Sequence, residues 1–192
     1  MATSSSSIAV ARTLILGGVR SGKSRLAERL ALESGLPITY VATATHGDDP
    51  EMVARIAAHQ KRRPTDWALV EEPLELADTL ARVCANDRCV LVDCLTLWLA
   101  NLLWHPDPDR LTIELDALDR RLPDLTGQLI MVGNEVGLGI IPTDPTARRF
   151  GDLAGELHQR LAGVCDRVLF TVAGLPLTVK DTTAIVPPTP GP

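Results

Sequence analysis

The 192-residue chain carries 19 Lys and Arg against 24 Asp and Glu, a formal net charge of −5, with 45% hydrophobic and only 3% aromatic residues. That length suits a single domain with a sizeable core, and the acidic balance excludes a general electrostatic grip on DNA or RNA. Few aromatics means few platforms for stacking bases, so no nucleic-acid partner is expected. No apolar run approaches the ~18–20 residues that a membrane-spanning helix needs. The opening Met-Ala-Thr-Ser-Ser-Ser-Ser lacks the basic and apolar regions of a secretory signal, so no membrane span and a cytoplasmic location are expected. The four cysteines form no C-x-x-C pair, which leaves no zinc spacing. Cys89 and Cys94, in and beside an apolar run, read as buried thiols in a reducing compartment.

Residues 1–10 read as a flexible tail, and so does 181–192, where Pro187, Pro188, Pro190 and Pro192 crowd a segment of little apolar content. Leu14–Leu16 is a short apolar strand that runs into glycines. Ser24–Ser34 follows as a helix, with Leu26, Ala27, Leu30 and Ala31 on one face and Gly35 as its stop. Ile38–Thr43 is β-rich. Asp49 and Pro50 read as N-cap and first residue of a helix whose apolar face carries Met52, Val53 and Ile56.

Trp67–Glu71 is a candidate strand and Leu74–Val83 a candidate helix. Cys89–Cys94 is a fully apolar strand closed by Asp93. Leu95–Leu103 reads as a helix, and Trp98–Trp104 reads as core. His105–Asp109, with two prolines, is a loop. Leu111, Leu115, Leu118 and Leu122 fall at helical spacing. Leu129–Val132 is a strand, and Phe150 to Val164 a long helix. Val168–Val172 and Leu177–Val179 close the chain with no helix between them, so one of the two is expected to be antiparallel. Strands alternating with helices predict one α/β domain over residues 1–192. Its central sheet is mostly parallel, with helices on both faces.

Gly17-Gly18-Val19-Arg20-Ser21-Gly22-Lys23-Ser24 matches the G-x-x-x-x-G-K-[ST] phosphate loop in spacing and in context, with a strand before it and a helix after. Glycines let the backbone turn its N–H groups toward phosphate oxygens. Lys23 reaches the outer phosphates, and the Ser24 hydroxyl is a magnesium ligand. The following helix adds the positive end of its dipole. The second half of such a site is an acidic residue at the end of a buried strand. Asp93 supplies it, as a magnesium ligand, as the N-cap of the next helix, or as both.

A phosphate loop names a superfamily and not a reaction. No N-K-x-D guanine reader occurs and Asp93 is followed by Cys-Leu-Thr, which speaks against a regulatory switch. Of the four histidines, His46, His105 and His158 read as solvated or structural. His59 stands one turn past Arg55 and precedes Gln60-Lys61-Arg62-Arg63, a cationic run suited to a triphosphate. Spacing leaves it either a structural or a catalytic residue.

The motifs resemble the bifunctional adenosylcobinamide kinase/adenosylcobinamide-phosphate guanylyltransferase family of cobalamin biosynthesis. The resemblance rests on Leu16–Ser24, Tyr40-Val41-Ala42-Thr43-Ala44, Arg55-Ile56-x-x-His59 and Glu71-Glu72-Pro73. It continues through Asp93–Trp98 with Asn101-Leu102-Leu103, Asn134–Gly139 with Pro142, Arg149-Phe150, Asp152–Gly155 and Ala173–Leu177. It implies a P-loop NTPase-type fold, a homotrimer, and two reactions at one site. The first phosphorylates the aminopropanol hydroxyl of adenosylcobinamide with ATP or GTP. The second transfers GMP from GTP to that phosphate through a guanylyl-histidine, releasing pyrophosphate. The same resemblance makes His59 the nucleophile beside Lys23. It draws Ala42, Thr43, Ala44, the residues Gln60–Arg63, Glu71 and Asp93 around the nucleotide with the phosphate loop, and gives Mg2+ to Ser24 and Asp93. Gly151 and His158 depart from the family pattern, where Arg and Asn are common. The other readings are a small-molecule kinase without a covalent intermediate and a nucleotide-responsive regulatory protein.

Overall fold

A computed structural model describes residues 11–45, 64 and 66–183. Seven strands form one sheet: β1 (Ala11–Gly17), β2 (Ile38–Ala42), β3 (Ala68–Glu71), β4 (Cys89–Asp93), β5 (Gln128–Asn134), β6 (Arg167–Val172) and β7 (Leu175–Asp181). Their order is β3-β2-β4-β5-β1-β6-β7. All neighbours pair in parallel except β6 and β7, which are antiparallel. The described helices are α1 (Lys23–Glu33), α2 (Leu76–Val83), α3 (Leu95–Leu103), α4 (Arg110–Arg121) and α5 (Pro145–Val164). No helix among the described residues is long and apolar enough to cross a membrane.

The apolar runs become central strands because both faces of the sheet are covered. Ile15, Leu91, Ile130 and Val132 pack with Leu26, Ala27 and Ala31 of α1 on one face. Leu14, Val90, Val92, Leu129 and Met131 pack with residues of α2, α3, α4 and α5 on the other. Each Leu, Ile, Val or Met side chain among them contributes about 1.5–3 kcal/mol by leaving water.

Local chemistry sets the ends of the elements. Gly35, at φ 66, follows α1 and donates to Leu32 O at 3.1 Å, a left-handed stop that glycine adopts without a Cβ penalty. Asp144 caps α5 by accepting from Ala147 N at 2.8 Å, with Pro145 as the first helical residue. The β6–β7 hairpin turns on Ala173 and Gly174, at φ 52 and 83, the positive pair of a tight two-residue turn.

The structure corrects three sequence expectations. Residues 181–183 do not belong to a flexible tail, because β7 reaches Asp181 through pairing with Arg167 and Thr182 N then donates to Asp166 O. Trp98 is fully buried, but Trp104 is 62% exposed and stacks on Phe150 at 5.9 Å, so the core reading fails at Trp104. Asp93 does not cap α3; Cys94 holds that position, with no side-chain cap. His158 is buried, which decides between its two readings for the structural one. The expected helix after Asp49, with His46, His59 and Gln60–Arg63, lies outside the described residues.

Candidate active site

β1 ends at Gly17, and the chain then wraps from Gly18 to Gly22 into the first turn of α1. Three residues hold positive φ: Gly17 at 150°, Arg20 at 56° and Gly22 at 98°. Two glycines are also demanded by space. A Cβ on Gly17 would lie 2.4 Å from Thr171 O, and one on Gly22 would lie 3.1 Å from the Gly174 Cα. Lys23 opens α1 and is buried. Its ammonium folds back over the loop, donating to Gly18 O at 2.6 Å and to Ser21 Oγ at 3.5 Å. Burial lowers the Lys23 pKa, while Cys94 and Asp93 oppose the shift. The Cys94 thiol is itself pushed up to about 12 by burial, so at neutral pH Asp93 is the opposing charge. Ser24 follows in the same first helical turn.

Asp93 ends β4 two strands from β1, on the face of the sheet that carries α1, since it shares the alternation of Cys89 and Leu91. Its Oδ2 accepts from Tyr40 OH at 3.1 Å. In register, Ala42 of β2 lies between Asp93 and Glu71 of β3, so both carboxylates stand at one edge of the sheet with the loop. Thr43 is fully enclosed. Its hydroxyl donates to Cys94 O at 2.7 Å and accepts from Cys94 N at 2.9 Å, so its side chain joins β2 to the start of α3. Ala44 follows Thr43 just past the strand end.

Several contributors were not assigned from the sequence. Asn101 donates to Thr43 O at 2.8 Å and to Pro73 O at 3.1 Å, pinning two strand-end segments to α3. Glu72 accepts from Leu74 N and Glu75 N and so orders the entry to α2. At the end of β5, Asn134 is in register with Gly17 and its N–H donates to Thr96 Oγ1 at 2.6 Å. Glu135 N–H donates to Gly17 O at 2.9 Å. The only sequence signal for these residues is their membership in motifs; the partners of Asn101, Asn134 and Glu135 are 28 to 118 positions away.

Hydroxyl and carboxylate oxygens are the kind of donors that suit a small hard cation. Ser24 and Asp93 offer oxygen ligands, and no cluster of three His, Cys, Asp or Glu able to hold a metal by itself occurs among the described residues.

A family model described as cobinamide kinase / cobinamide phosphate guanyltransferase matches residues 13–179, nearly the whole sheet. The chain belongs to this family. It is 58% identical over 169 residues to the bifunctional adenosylcobalamin biosynthesis protein CobP of Pseudomonas aeruginosa, covering 88% of this chain and 97% of that protein. It is 35% identical over 180 residues to the bifunctional adenosylcobalamin biosynthesis protein CobU of Escherichia coli K12, covering 87% of this chain and 98% of that one. Among solved structures, the assembled ATPase EscN of the enteropathogenic E. coli type III secretion system superposes with a TM-score of 0.51. The identity is 14%, over 85% of this chain and 43% of that one, a likeness of fold alone. Family membership makes the chain a transferase of cobalamin biosynthesis with a P-loop nucleotide fold.

Proposed function

We propose that this chain phosphorylates the aminopropanol hydroxyl of adenosylcobinamide and then transfers GMP from GTP onto the resulting phosphate. The observation that carries the reading is the pairing of a complete phosphate loop, Gly17–Ser24 with Lys23 folded over it, with Asp93 at the same sheet edge. In this reading the loop N–H groups and Lys23 hold the phosphates of ATP or GTP. Ser24 and Asp93 hold Mg2+, which supplies charge neutralisation on the phosphates when bound. Ala42, Thr43, Ala44, Gln60–Arg63 and Glu71 border the nucleotide.

The second reaction needs a nucleophile, and His59 is the residue that matches the family motif. Its neutral imidazole nitrogen forms a bond to the α-phosphorus as the bond to pyrophosphate breaks. An oxygen of the corrinoid phosphate then displaces the histidine. Two easier displacements replace one difficult transfer. The cationic run beside His59 favours the neutral imidazole. The reading includes a homotrimer, checked by light scattering, and a cytoplasmic setting in keeping with four free cysteines.

The test is to incubate the protein with magnesium and α-labelled GTP, quench in alkali and map the label by peptide mass spectrometry. An alkali-stable GMP adduct on His59 is expected. Active corrinoid phosphorylation with no adduct would leave a small-molecule kinase without a covalent intermediate.

A further inference from the structure

The chain leaves β1 toward α1 on one face of the sheet and leaves the adjacent β5 toward α5 on the other. Open α/β sheets form their ligand crevice at such a reversal, outside the carboxyl ends of the strands. Here the crevice lies between Gly17 and Asn134, which are in register. The phosphate loop occupies the β1 side. The β5 side has no assigned role, and its first residue past the strand is Glu135.

Glu135 is fixed at the mouth of the loop. Its N–H donates to Gly17 O at 2.9 Å. Its Oε1 accepts from Gly137 N at 2.6 Å, and its Oε2 lies 4.0 Å from Nδ1 of the buried His158. The carboxylate therefore has a defined position while its side chain stays 22% exposed. Beyond it, Leu138, Ile140 and Ile141 are exposed, an apolar surface unsuited to a triphosphate and suited to a large, largely apolar acceptor. The other acidic groups at this sheet edge are placed for other roles: Asp93 accepts from Tyr40, acts on Lys23 and is given to Mg2+ in the reading above, and Glu71 stands on β3, the edge strand.

We propose that the β5–α5 loop is the acceptor side of this crevice and that Glu135 takes the proton from the acceptor hydroxyl during phosphorylation. The hydroxyl oxygen bonds to the γ-phosphorus, the bond to the β-phosphate oxygen breaks to release the nucleoside diphosphate, and the hydroxyl proton passes to the Glu135 carboxylate and on to solvent. This rests on the two-reaction reading above and separates its halves. A hydroxyl must lose a proton to attack, whereas a phosphate acceptor is already anionic and needs no base.

The experiment compares Glu135→Gln with the wild type in both half-reactions, with adenosylcobinamide and ATP, and with adenosylcobinamide phosphate and GTP. Glutamine keeps an oxygen for Gly137 N–H but accepts no proton. Kinase kcat is expected to fall by roughly 100-fold, the scale of a lost general base. Guanylyl transfer is expected to fall far less, which also certifies the fold. Equal loss in both reactions, or no loss in either, overturns the assignment. A wild type inactive in both reactions would instead sink the function proposed for the site.

Discussion

The Gly174 N–H donates to Ser21 O at 2.9 Å, so the turn of the β6–β7 hairpin is fastened to the phosphate loop. The approach leaves no room for a side chain at Gly17 and little at Gly22. Gly17→Ala would drive a Cβ to 2.4 Å from Thr171 O, and Gly22→Ala would bring one to 3.1 Å from Gly174 Cα at φ +98. Each is expected to destabilise the protein by about 1–3 kcal/mol and to weaken GTP binding. Nothing lies within 4 Å of a Cβ on Gly18, so Gly18→Ala should stay within about 0.5 kcal/mol of wild type. Thermal melting and titration calorimetry read both effects. Three equal melting temperatures would contradict the packing described.

Lys23 is a buried cation whose pKa burial lowers. The folded state therefore disfavours its charge, a cost that function tolerates. Lys23→Met should abolish phosphorylation and guanylyl transfer together, because both use one phosphate cradle, while leaving the melting temperature unchanged or raised. Retained guanylyl transfer in this variant would separate the two sites.

Burial lowers the His158 pKa below 6.5, against the raising effect of Glu135. As pH falls below that value, the unfolded chain takes up the proton before the folded one. The stability linked to His158 is thus fully present above pH 6.5 and is lost as pH falls toward the folded pKa, at a limiting slope of about 1.4 kcal/mol per pH unit. Between pH 7 and 5 the wild type should lose melting temperature more steeply than His158→Asn. Parallel curves would show that the histidine is not desolvated.

All four thiols are pushed up by burial, Cys84 and Cys89 to about 11 and Cys94 and Cys165 to about 12. The thiolate is the reactive form, so Ellman's reagent at pH 8 should react slowly with folded protein and rapidly with all four cysteines after denaturation. The linked stability is intact below the unfolded thiol pKa near 9 and declines as pH rises toward 11. Rapid labelling of the native protein would place these cysteines outside the core.

The sequence by itself determined the elements whose signal is local. Leu95–Leu103 is a helix at the bounds its apolar run predicts, and the phosphate loop is legible because spacing and flanking hydrophobicity both sit within a few residues of Lys23. The antiparallel end of the sheet was legible too, because no helix separates β6 from β7. Tertiary structure alone decided which strand ends meet. β5 inserts between β1 and β4, a choice made by burying apolar faces across more than a hundred residues, which no local pattern encodes. That insertion places Asn134 opposite Gly17 and fixes Glu135 at the loop. The end of β4 likewise kept Asp93 from the cap of α3: a capping side chain must reach the first helical N–H groups, whereas Asp93, still in β4, is bonded to Tyr40 on the neighbouring strand β2.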